Sequence, residues 1–309
     1  MLLQLAPIGP LADRLLASEF AAIRLWEQPE GWLAAHGGEV ELLATSVRAG
    51  CAPPLLAALP RLRAIASWGV GHETLDLAGA RARGIAVATT PDVLDDCVAD
   101  LAWGLLLATA RRIPAADRYV AAGRWTEVGA FPLSTRVSGK RLGILGLGRI
   151  GAAIARRGEG FGMAIRYHGR APKPGVAHGF APSLVELAAW SDMLVVACEG
   201  GAATRHLVSA EVLAALGPAG ILVNIARGSV VDQAALIAAL EAGRLGGAGL
   251  DVLEGEPGAP EALRGRDDVV ITPHVGSATR ETRAAMEMLV VDNLRAFRRD
   301  GTLLTPVRA

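Results

Sequence analysis

Three ionisable side chains follow predicted strands in the second half of this 309-residue sequence. Arg227 follows the apolar run ILVNIA, Glu256 lies just beyond LDVL, and His274 follows VVITP. An imidazole gains and loses a proton near neutral pH, which suits His274 to general acid–base chemistry. A carboxylate paired with it, such as Glu256, would fix the ring tautomer, and the planar guanidinium of Arg227 suits bidentate carboxylate binding. These residue types predict a site that protonates a carbonyl oxygen of a small acid without a metal.

A glycine-rich stretch, LGILGLGRIGAA (residues 142–153), follows a predicted strand and opens a helix predicted over 150–159. Gly146 permits a tight turn, Gly148 lets backbone N–H groups approach a pyrophosphate, and Gly151 lets the helix lie close to the strand. The next predicted strand, AIRYH, comes where a βαβ unit of about 30 residues places it. The pattern therefore predicts a dinucleotide site.

The segment AIRYHGRAPKP indicates which dinucleotide binds. Sites for NAD usually place Asp or Glu about 20 residues beyond the glycines, where it accepts from the ribose 2′-OH and repels a 2′-phosphate. Here Gly169 lies 21 residues after Gly148, and Arg170 and Lys173 follow it. These cations can bind a 2′-phosphate, with Arg149 adding to them, although a solvated basic turn is the alternative. We predict NADPH as the preferred cofactor, with NADH possible.

Parallel strands must position these residues. Short β-type runs alternate with helical segments in the first 90 residues: LLQLA, AIRLW, ELLATS, LRAIAS and IAVATT. The alternation resumes at residue 141 with RLGILG, AIRYH, MLVVAC, GILVNIA, GAGLDVL and DVVITP. Such alternation predicts parallel βαβ units, whose strands carry ligand sites at their carboxyl ends.

Three predicted helices accompany the strands. Residues 93–113 predict a long helix, interpreted as a bridge between two domains, which Pro114 kinks or ends. Asp232 is the predicted N-cap of a later helix. Residues 277–300 predict a terminal helix that stops at Gly301.

The composition limits the classes of molecule that this protein is expected to bind. Lys plus Arg and Asp plus Glu number 31 each, and no block of like charge predicts binding to nucleic acid or an anionic membrane. The apolar run 101–110 is about half the ~20 residues of a membrane span. The start lacks a basic n-region, and Cys51, Cys97 and Cys198 form no CxxC pair, so we expect a cytoplasmic protein with a small-molecule partner.

The sequence resembles the D-isomer-specific 2-hydroxyacid dehydrogenase family, and within it the glyoxylate/hydroxypyruvate and hydroxyphenylpyruvate reductases. Six stretches in order carry the resemblance: SWGVGHETLD (67–76), TTPDVLDDCVADLAWGLLLATARR (89–112), GLGRIG (146–151), NIARGSVVD (224–232), LDVLEGEP (250–257) and TPHVGSAT (272–279).

The resemblance implies an α/β fold of two Rossmann-like, doubly wound parallel-sheet domains. A dinucleotide-binding domain, residues 97–279, is inserted into a discontinuous substrate domain, residues 1–96 and 280–309. It also implies that Arg227, Glu256 and His274 are the catalytic set.

The resemblance further implies a set of cofactor contacts. Asp251 would hold the nicotinamide carboxamide, and Cys198 would line the groove through its backbone. The full expected set is Gly146, Leu147, Gly148, Arg149, Ile150, Gly151, Arg170, Lys173, Cys198, Ile225, Asp251, His274 and Gly276.

The loop SWGVG is the expected second part of the substrate site, together with Arg227. Gly69 and Gly71 free the backbone, so that N–H groups around Val70 and Gly71 can point at an anion. Trp68 either forms the base of a pocket for an aromatic ring of the substrate or narrows the pocket so that it admits only small acids. The role of His72 stays open, whereas His36, His168, His178 and His206 are interpreted as surface or packing residues.

The expected reaction is NADPH-dependent reduction of glyoxylate or hydroxypyruvate to the D-2-hydroxy acid. Hydroxyphenylpyruvate reductase and phosphoglycerate dehydrogenase are the alternatives, and a corepressor-like dinucleotide sensor is a remote one. We expect a homodimer, because the apolar helix and the segment Trp125–Phe131 after it offer more hydrophobic surface than one domain covers.

Overall fold

The computed structural model describes residues 1–307, which divide into two compact units. Unit 1 comprises Met1–Leu94 and the segment from Ser277 onward, and unit 2 comprises Asp95–Gly276. The assignment of these units as substrate and cofactor domains stays a prediction.

Unit 1 is built on a parallel sheet with the strand order β2-β1-β3-β4-β5. Its strands are β1 (Leu2–Gln4), β2 (Ile23–Arg24), β3 (Leu42–Ser46), β4 (Ala64–Trp68) and β5 (Ala86–Ala88). Its helices are α1 (Pro10–Phe20), α2 (Trp32–His36), α3 (Pro53–Ala58), α4 (Leu77–Ala82) and, from the end of the chain, α11 (Arg280–Asp300).

Both faces of the unit 1 sheet are covered. Successive strand residues point to opposite faces, so Leu2 and Leu3 belong to two different apolar clusters. The cluster around Leu2 includes Val290 and Leu294 of α11, which therefore belongs to the unit built by the first 94 residues. Gly301 ends α11 in the left-handed conformation, as expected.

Unit 2 is built on a seven-stranded parallel sheet with the order β12-β11-β10-β9-β6-β7-β8. Its strands are β6 (Arg141–Leu145), β7 (Ala164–His168), β8 (Gly179–Phe180), β9 (Met193–Val196), β10 (Ile221–Asn224), β11 (Gly247–Leu250) and β12 (Val269–Ile271). Its helices are α5 (Asp95–Ala110), α6 (Ile113–Ala121), α7 (Arg149–Gly160), α8 (Leu184–Trp190), α9 (Ala210–Leu216) and α10 (Gln233–Glu241). The strand order reverses between β6 and β9, which is the topological switch point where doubly wound sheets bind ligands.

The helix predicted as a bridge over residues 93–113 begins at Asp95 as α5, which belongs to unit 2. It ends at Ala110, and Pro114 lies in the first turn of the next helix, α6, where its missing N–H costs nothing. α5 lies directly on the sheet, because a Cβ on Gly249 of β11 would be only 3.0 Å from the Leu105 Cβ. The interpretation as a bridge is corrected, since eight residues of α5 are buried and the helix packs on α7, β10 and β11 of its own unit.

One local prediction is confirmed, and one short strand was missed. Asp232 caps α10, because its side chain accepts from the Ala235 N–H at 3.0 Å. The two-residue strand β8 was not predicted, since an edge strand this short leaves no alternating pattern in the sequence. Among residues 1–307, no helix is long and apolar enough to cross a membrane.

Candidate active site

The glycine-rich turn lies at the carboxyl end of β6, at the switch point. Gly146 has a φ of +92°, and a Cβ there would be 2.6 Å from the Cα of Cys198, which follows β9. A Cβ on Gly151 would be 2.1 Å from the Gly146 carbonyl oxygen. The turn therefore requires glycine at both positions, one for its backbone conformation and one for the close approach of α7 to the strand.

Gly148 is the N-cap of α7, and no atom lies within 4 Å of where its Cβ would stand. The first N–H groups of this 12-residue helix have no partner within the helix, and the helix dipole places positive charge at this end. Leu147 is buried beneath the turn and Ile150 is half-buried. These features fit the pyrophosphate of a dinucleotide, with backbone groups as donors.

The residues predicted to determine the preference for NAD or NADP follow β7. Gly169 directly follows β7, and Arg170 and Lys173 are exposed. The turn is held in place because the Lys173 N–H donates to the buried hydroxyl of Tyr167 at 2.7 Å. Arg149, at the start of α7, lies 3.5 Å from the Asp95 carboxylate, which partly neutralises it.

Cys198 and Ile225 follow the neighbouring strands β9 and β10. Burial raises the pKa of the Cys198 thiol to about 11, so the thiol stays protonated and unreactive at neutral pH. Ile225 is buried, and its N–H donates to the Val196 carbonyl at 3.2 Å. Their proposed contacts with the cofactor stay predictions.

Asp251 follows β11 and is only 3% exposed. Its carboxylate accepts from the Thr272 hydroxyl at 2.6 Å and from the N–H groups of Val275 and Gly276 at 2.8 Å each. The Asp251 carbonyl also accepts from the His274 N–H at 2.8 Å. Asp251 thus fixes the segment that carries His274, in addition to the predicted contact with the nicotinamide carboxamide.

The structure pairs two of the predicted catalytic residues. His274 Nδ1 lies 2.7 Å from Glu256 Oε2. An ionised carboxylate only accepts hydrogen bonds, so Nδ1 donates and Nε2 is left for another partner. The backbone of His274 has a φ of +55°, an uncommon conformation for a residue with a side chain. The other carboxylate oxygen of Glu256 accepts from the Leu253 N–H at 2.9 Å, which fixes the pair to its own loop.

Arg227 lines the same cavity as Glu256 and His274. The cavity has a volume of about 540 Å³ and lies wholly within unit 2. A Cβ on Gly200 would be 2.4 Å from Arg227 Cγ, so glycine at that position leaves space for the arginine stem. The Arg227 carbonyl accepts from the Asn224 side chain at 3.0 Å. A hydrogen-bonded His–Glu pair and a guanidinium therefore share one cavity.

Two further charged residues, which were not predicted from the sequence, line this cavity. Arg205 and Glu254 belong to the lining, and Glu254 is paired with His206. Glu254 stands two residues before Glu256 in the stretch LEGEP, so a count of the carboxylates beyond β11 would have found it.

The predicted substrate loop SWGVG lies in unit 1, where Ser67 and Trp68 are the last residues of β4 and only residues 69–71 follow the strand. Gly69 has a φ of +115°, and both its N–H and its carbonyl bind Thr90. The Trp68 ring is stacked under the Arg283 guanidinium, whose central carbon lies 4.4 Å from the ring centroid. The backbone groups of Gly69 thus hydrogen-bond within the protein. Anion binding by Val70 and Gly71 stays a prediction, as do the roles of Trp68 and His72.

The fold and these residues define an α/β protein with the glycine turn of a dinucleotide-binding domain and a hydrogen-bonded His–Glu pair. No group of His, Cys, Asp and Glu suited to a metal ion occurs within residues 1–307. The family model described as D-isomer specific 2-hydroxyacid dehydrogenase, NAD binding domain, matches residues 103–276.

Individual relatives match almost end to end. The chain is 47% identical to a glyoxylate/hydroxypyruvate reductase A of Arabidopsis thaliana and 47% identical to a hydroxyphenylpyruvate reductase of Plectranthus scutellarioides. Each alignment covers 99% of this chain and 98% of the relative. An NADPH-dependent glyoxylate/hydroxypyruvate reductase from Sinorhizobium meliloti, solved with NADP and malonate, gives a TM-score of 0.92 at 46% identity, covering 99% of this chain and 96% of that one.

The chain belongs to the D-isomer specific 2-hydroxyacid dehydrogenase family. It is an oxidoreductase with two Rossmann-type parallel-sheet domains, and its cofactor is a nicotinamide dinucleotide.

Proposed function

We propose that this protein reduces a 2-keto acid to the D-2-hydroxy acid with NADPH, with glyoxylate and hydroxypyruvate as substrates. The observation that carries the proposal is the hydrogen-bonded His274–Glu256 pair in one cavity with Arg227. The relatives named above support the substrate class.

Each of the three cavity residues has a different proposed role in the reaction. When bound, the reduced nicotinamide supplies a hydride to the carbonyl carbon, which leaves negative charge on the carbonyl oxygen. His274, protonated on both nitrogens, donates its Nε2 proton to that oxygen, while Glu256 holds Nδ1 and stabilises the positive ring. Arg227 binds the substrate carboxylate through its planar fork and polarises the carbonyl. In unit 1, the N–H groups of Val70 and Gly71 are proposed as further carboxylate donors.

A hydroxyphenylpyruvate reductase is the second candidate, because the relative with that activity is as similar as the glyoxylate/hydroxypyruvate reductase. The experiment is a steady-state screen of glyoxylate, hydroxypyruvate, pyruvate and hydroxyphenylpyruvate with NADPH and with NADH. We expect the highest kcat/KM for glyoxylate or hydroxypyruvate.

Two variants test the role of the cavity in that screen. Arg227→Ala should raise KM and lower kcat, because it removes the carboxylate partner, whereas the exposed Arg244→Ala should change neither. Absence of turnover by the unmodified protein with every keto acid and both cofactors would contradict the proposal.

We further propose a preference for NADPH over NADH. The turn after β7 offers exposed Arg170 and Lys173, and residues 164–180 contain no Asp or Glu that would repel a 2′-phosphate. The double variant Gly169→Asp, Arg170→Ala introduces the missing carboxylate and removes the guanidinium, so its ratio of kcat/KM values should shift toward NADH. A higher kcat/KM with NADH than with NADPH in the unmodified protein would refute the preference.

We also propose that the protein is a homodimer. Large apolar side chains are exposed along α6 and the segment that follows it: Ile113, Val120, Trp125, Val128 and Leu133. A second copy of the chain is the partner proposed to cover them.

A further inference from the structure

A second histidine–glutamate pair stands beside the cavity of the proposed active site. His206 Nε2 lies 2.7 Å from Glu254 Oε1, and the exposed fractions of the two side chains are 35% and 27%. Neither residue belongs to the proposed catalytic set. The pair joins segments 48 residues apart in sequence, and Glu254 itself lines the cavity.

The backbone of His206 is bound to the turn that follows Arg227. The His206 N–H donates to the Ser229 carbonyl at 2.8 Å, and the Val208 N–H donates to the Val230 carbonyl at 3.0 Å. His206 has a φ of +53°, an uncommon backbone conformation for a residue with a side chain. One side of the pair is therefore fixed to the segment that carries Arg227.

The other side of the pair belongs to the loop that carries Glu256. The Glu254 N–H donates to the Gln233 side chain at 3.1 Å, and Leu253 donates to Glu256 as described above. This loop touches the turn after Arg227, because a Cβ on Gly228 would lie 2.0 Å from the Leu253 carbonyl carbon. This contact is between backbones, and the His206–Glu254 hydrogen bond adds a side-chain link beside it.

We propose that His206 and Glu254 act as a positioning pair, which holds the loop 253–256 against the turn 227–230 and so fixes Glu256 and His274 relative to Arg227. The inference rests on the proposed function of those three residues. Arg205 Nη2 lies 3.8 Å from the same oxygen of Glu254 and is mostly exposed, so it adds charge to the pair without replacing the hydrogen bond.

The test uses two replacements of His206. Asn tolerates the left-handed backbone but is too short to reach Glu254, whereas the amide nitrogen of Gln takes the place of Nε2. We expect His206→Asn to lower kcat for keto-acid reduction about tenfold, since small misplacements of catalytic groups are costly. The Kd for NADPH should not change, and His206→Gln should restore most of the lost kcat.

Glu254→Ala should lower kcat to the same extent as His206→Asn, and the double variant should be no slower than either, because each change removes the same hydrogen bond. His36→Asn is the matched control. It removes an exposed His–Glu pair of unit 1, with 3.2 Å between His36 Nδ1 and Glu39 Oε1, and should leave kcat unchanged.

Hydrogen exchange provides a readout that does not depend on turnover. In His206→Asn, the amides of Leu253 and Glu254 should exchange about tenfold faster, while amides of β6 keep their protection. A wild-type kcat in His206→Asn, or unchanged exchange of the loop, would overturn the positioning role. So would an equal loss of kcat in His206→Gln. If the unmodified protein reduces no keto acid, the proposed function fails, and the exchange experiment still decides whether the pair holds the loop.

Discussion

At the scale of single residues, the sequence indicates which chemistry is available but not which groups are paired. His274 and Glu256 were predictable as candidates because each follows a strand of a parallel sheet, where ligand sites form. Their hydrogen bond spans 18 residues and depends on a left-handed backbone at His274 that no pattern predicts. His206 was interpreted as a surface or packing residue for the same reason, since its partner Glu254 is distant in sequence.

Replacement of His274 tests the proposed proton donor. His274→Ala should lower kcat roughly 10²-fold to 10⁴-fold, the usual range for loss of a general acid. The Kd for NADPH, measured by fluorescence titration, should stay close to that of the unmodified protein, because Asp251 holds the neighbouring backbone through Val275 and Gly276.

His178→Ala is the control for this measurement. It removes another His–Glu contact of unit 2, in which His178 Nε2 lies 3.5 Å from Glu159 Oε1, and it should leave kcat unchanged. Near-normal turnover by His274→Ala would remove this histidine from the mechanism.

At the scale of elements, periodicity and turn chemistry predicted most of the strands and the ends of several helices. The strands of unit 2 read as short apolar runs because both faces of a parallel sheet are covered. Helix ends at Asp232 and Gly301 follow from capping chemistry. The two-residue strand β8 carries too little pattern for prediction, and the ion pairs that join strands are invisible in sequence because they depend on register.

One such pair joins the amino ends of β6 and β9. Asp192 accepts from the Arg141 side chain at 2.9 Å and from the Arg141 backbone N–H at 2.9 Å. The side-chain hydrogen bond with Arg141 holds the pKa of Asp192 below its ordinary value. A lowered pKa in the folded state stabilises the protein above the ordinary carboxyl pKa, and this stabilisation is lost as the pH falls through the folded value.

Asp192→Asn should therefore lower the thermal midpoint at pH 7, by an amount equivalent to about 0.5–1 kcal/mol for a partly exposed pair. The difference from the unmodified protein should shrink as the pH is lowered below about 4, where the wild-type carboxylate also loses its charge. Differential scanning fluorimetry at a series of pH values measures both effects. The exposed Asp117→Asn of α6 serves as the control, and a difference that grew with acidity would contradict the assignment.

At the scale of the whole molecule, alternation predicted two series of βαβ units and the family resemblance implied two domains. The sequence could not show which apolar residues are covered by the chain's own fold. The run in α5 was expected to contribute to a dimer interface, and this stays a prediction, although its own unit already buries much of the helix. Eight residues of α5 are buried, and Leu105 packs against β11 of the same unit. An apolar helix has the same sequence pattern whether its own sheet or another subunit covers it, so only the fold separates the two cases.

The remaining exposed apolar surface is concentrated in one part of unit 2. Within residues 1–307, eight large apolar side chains are exposed, and five of them lie between Ile113 and Leu133. Val128 is 96% exposed and Leu133 is 98% exposed. Burial of side chains this size is worth about 1.5–3 kcal/mol each, which makes the segment a strong candidate for a subunit interface.

We expect the unmodified protein to sediment as a dimer at micromolar concentration, because a second copy would remove this apolar segment from water. The double variant Val128→Asp, Leu133→Asp places two charges where burial is expected, so it should sediment as a monomer and unfold at a lower temperature, while its circular dichroism spectrum stays that of the folded protein. Trp26→Asp, a change at an exposed apolar residue of unit 1, is the matched control and should remain dimeric. Sedimentation velocity distinguishes the two masses directly. A monomeric unmodified protein would count against the homodimer, and a dimer that persists in the double variant would show that the interface lies elsewhere than residues 113–133.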